Sequence, residues 1–198
     1  MQNDGWGEPS TVERILGGWY GLIRFAAVSV LWAVTAWPIV TMPLSAAAAM
    51  SAWQSDAELV PWRAYWQGFM HGAKSYVVGV PWMIGLAITG LELALSTHAH
   101  YPDVRAVLGL FAALEGLVTV WACYAWSAMA MGFATEEAMR VALLGVLRHP
   151  TRSALWIVVL VVTISLGIFL PFTIPLLWGG TLAVVGRSGA QEFFGVLT

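Results

Sequence analysis

Long apolar runs alternate with short polar stretches along this chain of 198 residues. An α-helix rises about 1.5 Å per residue, so roughly 20 apolar residues are enough to cross a hydrocarbon core of about 30 Å. The first such run, residues 25–42, holds eighteen residues and no charge. Three later runs are also long enough: 75–97, 104–133 and 153–170. The pattern therefore predicts an all-α membrane protein.

Two proline-rich stretches interrupt this pattern, one after the first run and one after the last. Each proline removes a backbone donor, and we predict helix breaks at Pro38, Pro43, Pro171 and Pro175. A short apolar run follows each break, 44–53 and 176–185, only about 15 to 20 Å long at helical rise. Each run either completes a tight helical hairpin or forms a half-helix that lines a cavity, as paired interruptions do in transporters. The sequence leaves both interpretations open.

Amphipathic stretches beside the apolar runs predict helices in the membrane interface. After Pro61, apolar side chains recur at helical spacing on one face, and polar or basic side chains occupy the other. The apolar face comprises Trp62, Tyr65, Trp66, Phe69, Met70 and Ala73, and the opposite face comprises Arg63, Gln67, His71 and Lys74. A second interfacial helix is predicted from Thr135, its cap, to Pro150, and a short one after Ser10, which forms an S-x-x-E capping box with Glu13.

The positive charges favour one topology. If both short runs return the chain to the side it came from, eight of the nine cationic side chains share one face of the membrane, and only Arg105 lies on the other. The eight are Arg14, Arg24, Arg63, Lys74, Arg140, Arg148, Arg152 and Arg187. We therefore predict a single membrane domain over 1–198, a polytopic helical bundle of about six membrane segments with both termini in the cytoplasm. Polar tails are expected at 1–9 and 188–198, and Arg24 is expected to snorkel at the base of the first crossing.

The composition supports the membrane assignment and excludes several functions. Hydrophobic residues make up 59% of the chain and charged residues only 10%, against roughly a quarter charged in an average soluble domain. The net charge is -2 and no segment carries a basic stripe, which excludes nucleic-acid binding. Cys123 is the single cysteine and the four histidines are scattered, so we expect no metal site. No common catalytic or nucleotide-binding signature occurs, so we expect neither an enzyme nor a bound cofactor.

Two carboxylates lie within the predicted crossings. Glu115 is midway along 104–133, where an ionised carboxylate would cost at least about 2.5 kcal/mol, and Glu92 is nearer the outer end of its crossing. Glu115 is either a ligand for a polar substrate or proton, or a structural group that hydrogen-bonds another helix. Aromatic rings can stack on a sugar, although most tryptophans in membrane proteins mark interfaces and packing. The candidate substrate-binding residues are Trp37, Thr41, Glu92, Glu115, Trp121 and Tyr124.

The first proline break also carries a resemblance to a known family. It comprises the run Trp37-Pro38-Ile39-Val40-Thr41 with alanines soon after, and an aromatic and basic segment that enters a membrane span through Trp66, Phe69 and Lys74. Further motifs are 142–150 and the span that ends in Leu170-Pro171-Phe172. Over about 18–185, the chain resembles the YesL-like family of bacterial membrane proteins of unknown function. It departs from that pattern at Met42-Pro43, where a small flexible pair is usual.

Members of that family are typically encoded beside carbohydrate importers of the ATP-binding cassette type. The resemblance implies an accessory subunit of such an importer in the bacterial inner membrane, with the lipid bilayer, importer subunits and a sugar or oligosaccharide as partners. We expect contacts with a partner or the membrane surface through Arg63, Lys74, Arg140, Arg148 and Arg152. One alternative is a small solute-binding or transport unit whose site is formed by the broken helices and Glu115. Another is a structural or assembly protein without a ligand.

Overall fold

The structure is a computed structural model that describes residues 11–36, 38–55, 61–96, 102–170 and 173–194. Every regular element in these ranges is helical, which confirms the all-α prediction for them. The α-helices are α1 (Thr11–Ala36), α2 (Met42–Gln54), α3 (Trp62–His71), α4 (Tyr76–Ser96), α5 (Pro102–Ala130), α6 (Thr135–Arg148), α7 (Pro150–Phe169) and α8 (Thr173–Phe194). Two 3₁₀ turns, Ile39–Thr41 and Gly72–Ser75, lead into α2 and α4.

The first proline break joins α1 and α2 in an antiparallel hairpin. The Thr41 hydroxyl closes the turn, since its oxygen lies 2.5 Å from the carbonyl oxygen of Thr35 and 2.7 Å from that of Pro38. Pro43 lies in the first turn of α2, where a missing N–H leaves no helical hydrogen bond unmade, so it starts this helix and is not itself the break. Arg24 contacts the far end of α2, so the chain runs back beside α1.

A single 3₁₀ turn joins α3 to α4, and the stretch Trp62–Glu92 has the length and apolarity of one candidate span of 31 residues. The helix that we expected to lie alone in the interface is therefore the first part of a longer helical run. Its aromatic face is divided between two environments. Tyr65 is buried, whereas Trp62 and Trp66 are 53% and 45% exposed, with parallel rings stacked at 6.0 Å.

In the centre of the bundle, α8 packs through glycines against α1, α2 and α5. A methyl group on Gly180 would come within 2.5 Å of the Phe25 ring, so the helix backbones approach closely there. The helix continues to Phe194, so residues 188–194 are helical and not the tail that we expected. Pro175 lies in the first turn of α8, while Pro171 and the predicted tail 1–9 lie outside the described residues.

Three helical stretches in the described ranges are long and apolar enough to cross a membrane: Leu16–Ala36, Trp62–Glu92 and Ala106–Ala130. A fourth candidate pairs α6 with most of α7 across a bend of 98°. α2 has only 13 residues, about 20 Å at helical rise, and neither α2 nor α8 is among the candidates. The structure thus has three or four candidate crossings, where the sequence predicts six membrane segments.

Candidate functional site

Two arginines that are distant in sequence meet at the C-terminal end of α2. Arg24 in α1 is 4% exposed, and its Nη2 donates to the carbonyl oxygens of Ala52 and Trp53 at 2.7 and 3.1 Å. Arg187 in α8 donates from Nη1 to the same Trp53 carbonyl at 3.4 Å. The last carbonyls of a helix lack intrahelical partners and carry partial negative charge, so cations stabilise them. We call this side of the bundle, where α1, α2 and α8 are tied together, the arginine end.

The position of Arg24 corrects the expectation that it snorkels at the base of a crossing. α1 is continuous from Thr11, and Arg24 lies within the candidate span Leu16–Ala36, buried in the bundle. Its guanidinium carbon is 5.8 Å from the centre of the Trp53 ring, whose face attracts a cation. The sequence pattern does not reveal this role, because the carbonyl partners lie 28 and 29 residues further along the chain.

Some of the segments that carry other described cations lie near the same end. Gln54, the last residue of α2, donates from Nε2 to the Ser127 carbonyl and hydroxyl oxygens at 3.0 and 2.7 Å, so the end of α5 lies beside it. Trp126 donates from Nε1 to the Ser75 carbonyl at 3.3 Å, but the turn before α4 also packs against the start of α2, since a Cβ on Gly72 would lie 3.2 Å from Leu44 Cδ2 and one on Gly79 would overlap Pro43. α6 and the start of α7 follow α5 in the chain. The cations of α6 and the start of α7 are Arg140 and Arg148, both exposed, and Arg152, partly buried, while Arg63, in the first turn of α3, lies beside the end of α2 and Lys74, exposed, lies in the turn before α4.

Glu115 lies at the interface between α4 and α5. Its carboxyl group rests against the α4 backbone at Gly85, where an added side chain would overlap Oε2 and lie 2.7 Å from Cδ. One turn further along α5, Thr119 accepts a hydrogen bond from Trp82 Nε1 at 3.1 Å. Glu115 Oε1 is buried and has no hydrogen-bond partner among the residues that the structure describes. The two helices therefore share a polar seam inside an otherwise apolar interface.

Glu92 lies on α4, seven residues beyond Gly85, which is about 10 Å along the helix axis. Its side chain is partly buried, and Oε2 has no hydrogen-bond partner within the described ranges. The sequence thus located two carboxylates in candidate spans, but it did not show that Glu115 lies opposite a glycine. That contact depends on how α4 and α5 align, which the spacing along either helix does not reveal.

The other candidate substrate-binding residues make packing or backbone contacts away from the seam. Thr41 closes the turn between α1 and α2, and Trp121 donates from Nε1 to a backbone carbonyl of α6 at 3.1 Å. Tyr124 is 5% exposed, with its ring packed against α8. Trp37 lies outside the described residues. The structure does not gather the described members of this set around Glu115.

An open groove of about 600 Å³ lies at the arginine end, between α2, α3 and the end of α5. Its lining is uncharged and comprises Ser51, Gln54, Ser55, Ala64, Gln67, Gly68, Ala130 and Met131. Hydroxyl and amide groups of this kind can hydrogen-bond a neutral polar molecule. None of the predicted substrate-binding residues lines this groove. No pattern along the sequence indicates this groove, because its polar side chains come from two separate helices, α2 with its cap and α3, and the end of α5 closes it.

An amphipathic helix, α6, meets α7 at 98°. Pro150, expected only to stop α6, begins α7, and Thr135 is the first residue of α6 without capping it. The small side chains Ala138, Ala142 and Gly145, together with Val146, are buried. The leucine ridge, Leu143, Leu144 and Leu147, is 51%, 63% and 67% exposed, so the apolar side chains of α6 are divided between the bundle and its surface. Glu136 and Arg140 form an exposed ion pair at 2.6 Å.

Across the described part of the chain, no group of three His, Cys, Asp or Glu side chains lies close enough together to hold a metal ion. Three features of the described structure are candidates for chemistry or binding: the carboxyl seam between α4 and α5, the neutral groove, and the leucine ridge of α6.

Comparison of the chain with known family models, curated proteins and solved structures finds no match.

Proposed function

We propose that this chain is a multi-pass protein of the bacterial inner membrane, with six membrane segments and both termini in the cytoplasm. The gathering of cations at the arginine end supports this topology, because lysine and arginine are enriched on the cytoplasmic side. Arg24 and Arg187 both reach the Trp53 carbonyl, so the first helix and the last helix each have a cation at that level. Short segments that return the chain to its starting side account for this convergence.

Cysteine accessibility tests the topology. In a Cys123→Ala background, we expect a membrane-impermeant maleimide to label His98→Cys in intact cells, because that position lies between two crossings on the outer side. Thr198→Cys should react only after the cells are opened. Arg140→Cys, exposed on α6, is the matched control and should behave like Thr198→Cys. The reverse pattern at position 98 or 198 would show that the proposed topology is incorrect.

The function that we propose is that of an accessory subunit of a carbohydrate importer of the ATP-binding cassette type, which docks through α6. The observation that carries the docking step is the exposed leucine ridge on a helix at 98° to α7. An amphipathic helix in this orientation presents apolar side chains beside its charged residues, in the manner of helices that dock into a partner's groove. The carbohydrate importer as partner rests on the resemblance of the proline-break and C-terminal motifs to the YesL-like family.

Copurification in mild detergent tests this proposal. We expect tagged protein from cells growing on a glycan to recover importer subunits, and Leu144→Ala or Leu147→Ala to reduce that recovery. Loss of a buried anchor of about 2 kcal/mol corresponds to roughly thirtyfold weaker binding. Leu95→Ala is the matched control, since Leu95 is 56% exposed on α4 and should leave recovery unchanged. Equal recovery in ridge and control variants would exclude docking through α6, and wild-type protein that recovers no importer subunit would exclude the accessory role.

A further inference from the structure

Glu115 is a titratable group in a candidate span that docking through α6 does not use. We propose that Glu115 is a proton-binding site in the middle of the membrane, with its carboxyl group held in the acid form against α4. The ligand of this site is a proton, bound to a carboxylate oxygen. The inference does not depend on the importer, because it rests on the packing of α4 against α5 and not on the leucine ridge.

The seam between α4 and α5 has a notch that fits a carboxyl group. Gly85 has no side chain, and the Glu115 carboxyl fills the place where a Cβ and its neighbours would lie, with Oε1 at 2.9 Å and Cδ at 2.7 Å from that position. Oε1 is buried there without a hydrogen-bond partner in the described structure. An ionised carboxylate would need donors or a cation in such a place, whereas a protonated one does not carry that charge.

The arginine end gives the depth of Glu115. The Cys123 carbonyl oxygen is 3.0 Å from where a Cβ on Gly186 would lie, so Cys123 is level with the residue before Arg187. Glu115 is eight residues along α5 from Cys123, about 12 Å towards the other end of the bundle. Glu115 is also nine residues from the start of the candidate span Ala106–Ala130 and fifteen from its end, so the carboxyl lies well inside a hydrocarbon core of about 30 Å.

The charged and titratable groups around Glu115 do not offer it a cation. On α5, no Lys, Arg or His lies within seven residues of Glu115, and on α4 none lies within seven residues of Gly85. The third neighbouring helix, α7, contacts the seam through Ile157, which packs on Gly116 at 3.0 Å. The nearest groups on these helices are Tyr76 and Glu92 on α4, Arg105, Cys123 and Tyr124 on α5, and Arg152 on α7. Arg152 lies five residues before Ile157, towards the arginine end, and the closest carboxylate, Glu92, opposes a negative charge on Glu115.

The surface around the seam faces outward and is apolar. Ile84 and Ile88 on α4 are 56% and 50% exposed, and Phe111 and Leu114 on α5 are 49% and 48% exposed. A reagent dissolved in the lipid can therefore approach the carboxyl, while a charged reagent in water cannot. Reaction with a lipid-soluble reagent that requires the acid form therefore reports whether Glu115 is protonated.

Carbodiimides that differ in solubility test the proposal on the full-length protein in lipid vesicles at pH 7. The acid form of a carboxyl group adds to dicyclohexylcarbodiimide, and an ordinary glutamate is in that form in only about one molecule in 500 at this pH. We expect this lipid-soluble reagent to modify Glu115 and leave Glu136, which is exposed and ion-paired, unmodified. A water-soluble carbodiimide with an added amine should modify Glu136 and not Glu115. Peptide mass spectrometry assigns each modification.

Two variants test whether the notch matters. Glu115→Gln should abolish the modification, and Gly85→Ala should push the carboxyl out of the notch and raise its rate of modification severalfold. Unchanged reactivity of Glu136 towards the water-soluble reagent shows in each case that the protein is still folded. The proposal is overturned if the lipid-soluble reagent does not modify Glu115 in the wild-type protein. It is overturned equally if the water-soluble reagent modifies Glu115 as fast as Glu136.

Discussion

Replacement of Arg24 by alanine should destabilise the protein more than removal of any surface cation. Arg24 is 4% exposed and donates to two carbonyls at the end of α2, and hydrogen bonds from charged groups contribute about 1.5 to 3 kcal/mol each. Without the guanidinium, the Ala52 carbonyl loses this donor and the Trp53 carbonyl keeps only the longer contact with Arg187, at 3.4 Å. We expect the free energy of unfolding to fall by about 3 kcal/mol or more, measured by denaturant titration in detergent micelles with tryptophan fluorescence as the signal.

Arg140→Ala is the matched control for this experiment. Arg140 pairs with Glu136 one turn away, and both side chains are about three-quarters exposed, at 76% and 75%. Exposed pairs of this spacing contribute only about 0.3 to 0.5 kcal/mol, so the control should be almost neutral. Arg24→Lys keeps the positive charge but replaces the guanidinium by a single ammonium nitrogen, and we expect an intermediate loss in the free energy of unfolding. If Arg24→Ala and Arg140→Ala have the same effect, the contact between α1 and α2 does not stabilise the bundle.

The contrast between Arg24 and its sequence-based interpretation shows where local patterns fail. A charged residue beside an apolar run is a reasonable start for a crossing, so the sequence placed the boundary at Phe25. The structure instead buries Arg24 within the continuous helix α1, where the end of α2 supplies carbonyl acceptors inside the bundle. A tertiary contact therefore overrides the boundary that hydropathy predicts. Arg187 follows the same rule, since it lies within α8 and not at the start of a tail.

Local chemistry predicted the breaks and most helices correctly, but not the role of each proline. The turn before Met42 lies where the first proline-rich stretch indicated, and α7 ends at Phe169, just before the second, because a proline cannot donate to the preceding turn. Pro43 and Pro175 belong to the helices that follow, since the first turn of a helix accepts proline without loss. The presence of prolines therefore predicts that a helix ends, but it does not predict whether each proline lies between two helices or in the first turn of the next one.

The candidate site was only partly predictable because its members were chosen by type. Glu115 stood out, since a carboxylate within an apolar run is costly wherever that run lies in the membrane. Trp121 and Tyr124 were chosen because aromatic rings can stack on a sugar, and Thr41 as a further candidate for substrate binding; in the structure all three make contacts within the bundle. Gly85 could not be singled out among twenty glycines, because its role depends on the partner across the interface.

Two glycine-to-alanine substitutions in α4 should differ sharply in their effect. Gly79 is buried against Pro43, and an added methyl group would overlap the proline ring, lying only 2.5 Å from Cγ. A proline ring cannot rotate away, so α2 and α4 would have to separate, and overpacking of this kind costs about 1 to 3 kcal/mol. We expect Gly79→Ala to lower the free energy of unfolding by that amount in the same denaturant titration.

Gly90→Ala is the same change in the same helix and supplies the control. Apart from its chain neighbours and the nearby backbone of α4, no atom lies within 4 Å of the added methyl group. Only the intrinsic helix preference therefore changes, and it favours alanine by about 1 kcal/mol. Gly90→Ala should therefore be neutral or slightly stabilising. Because the two variants share composition, helix and background, the difference between them isolates the contact at Pro43. Equal stabilities would mean that α2 does not pack against α4 at this point, and the return of the chain after the first proline break would lose its support.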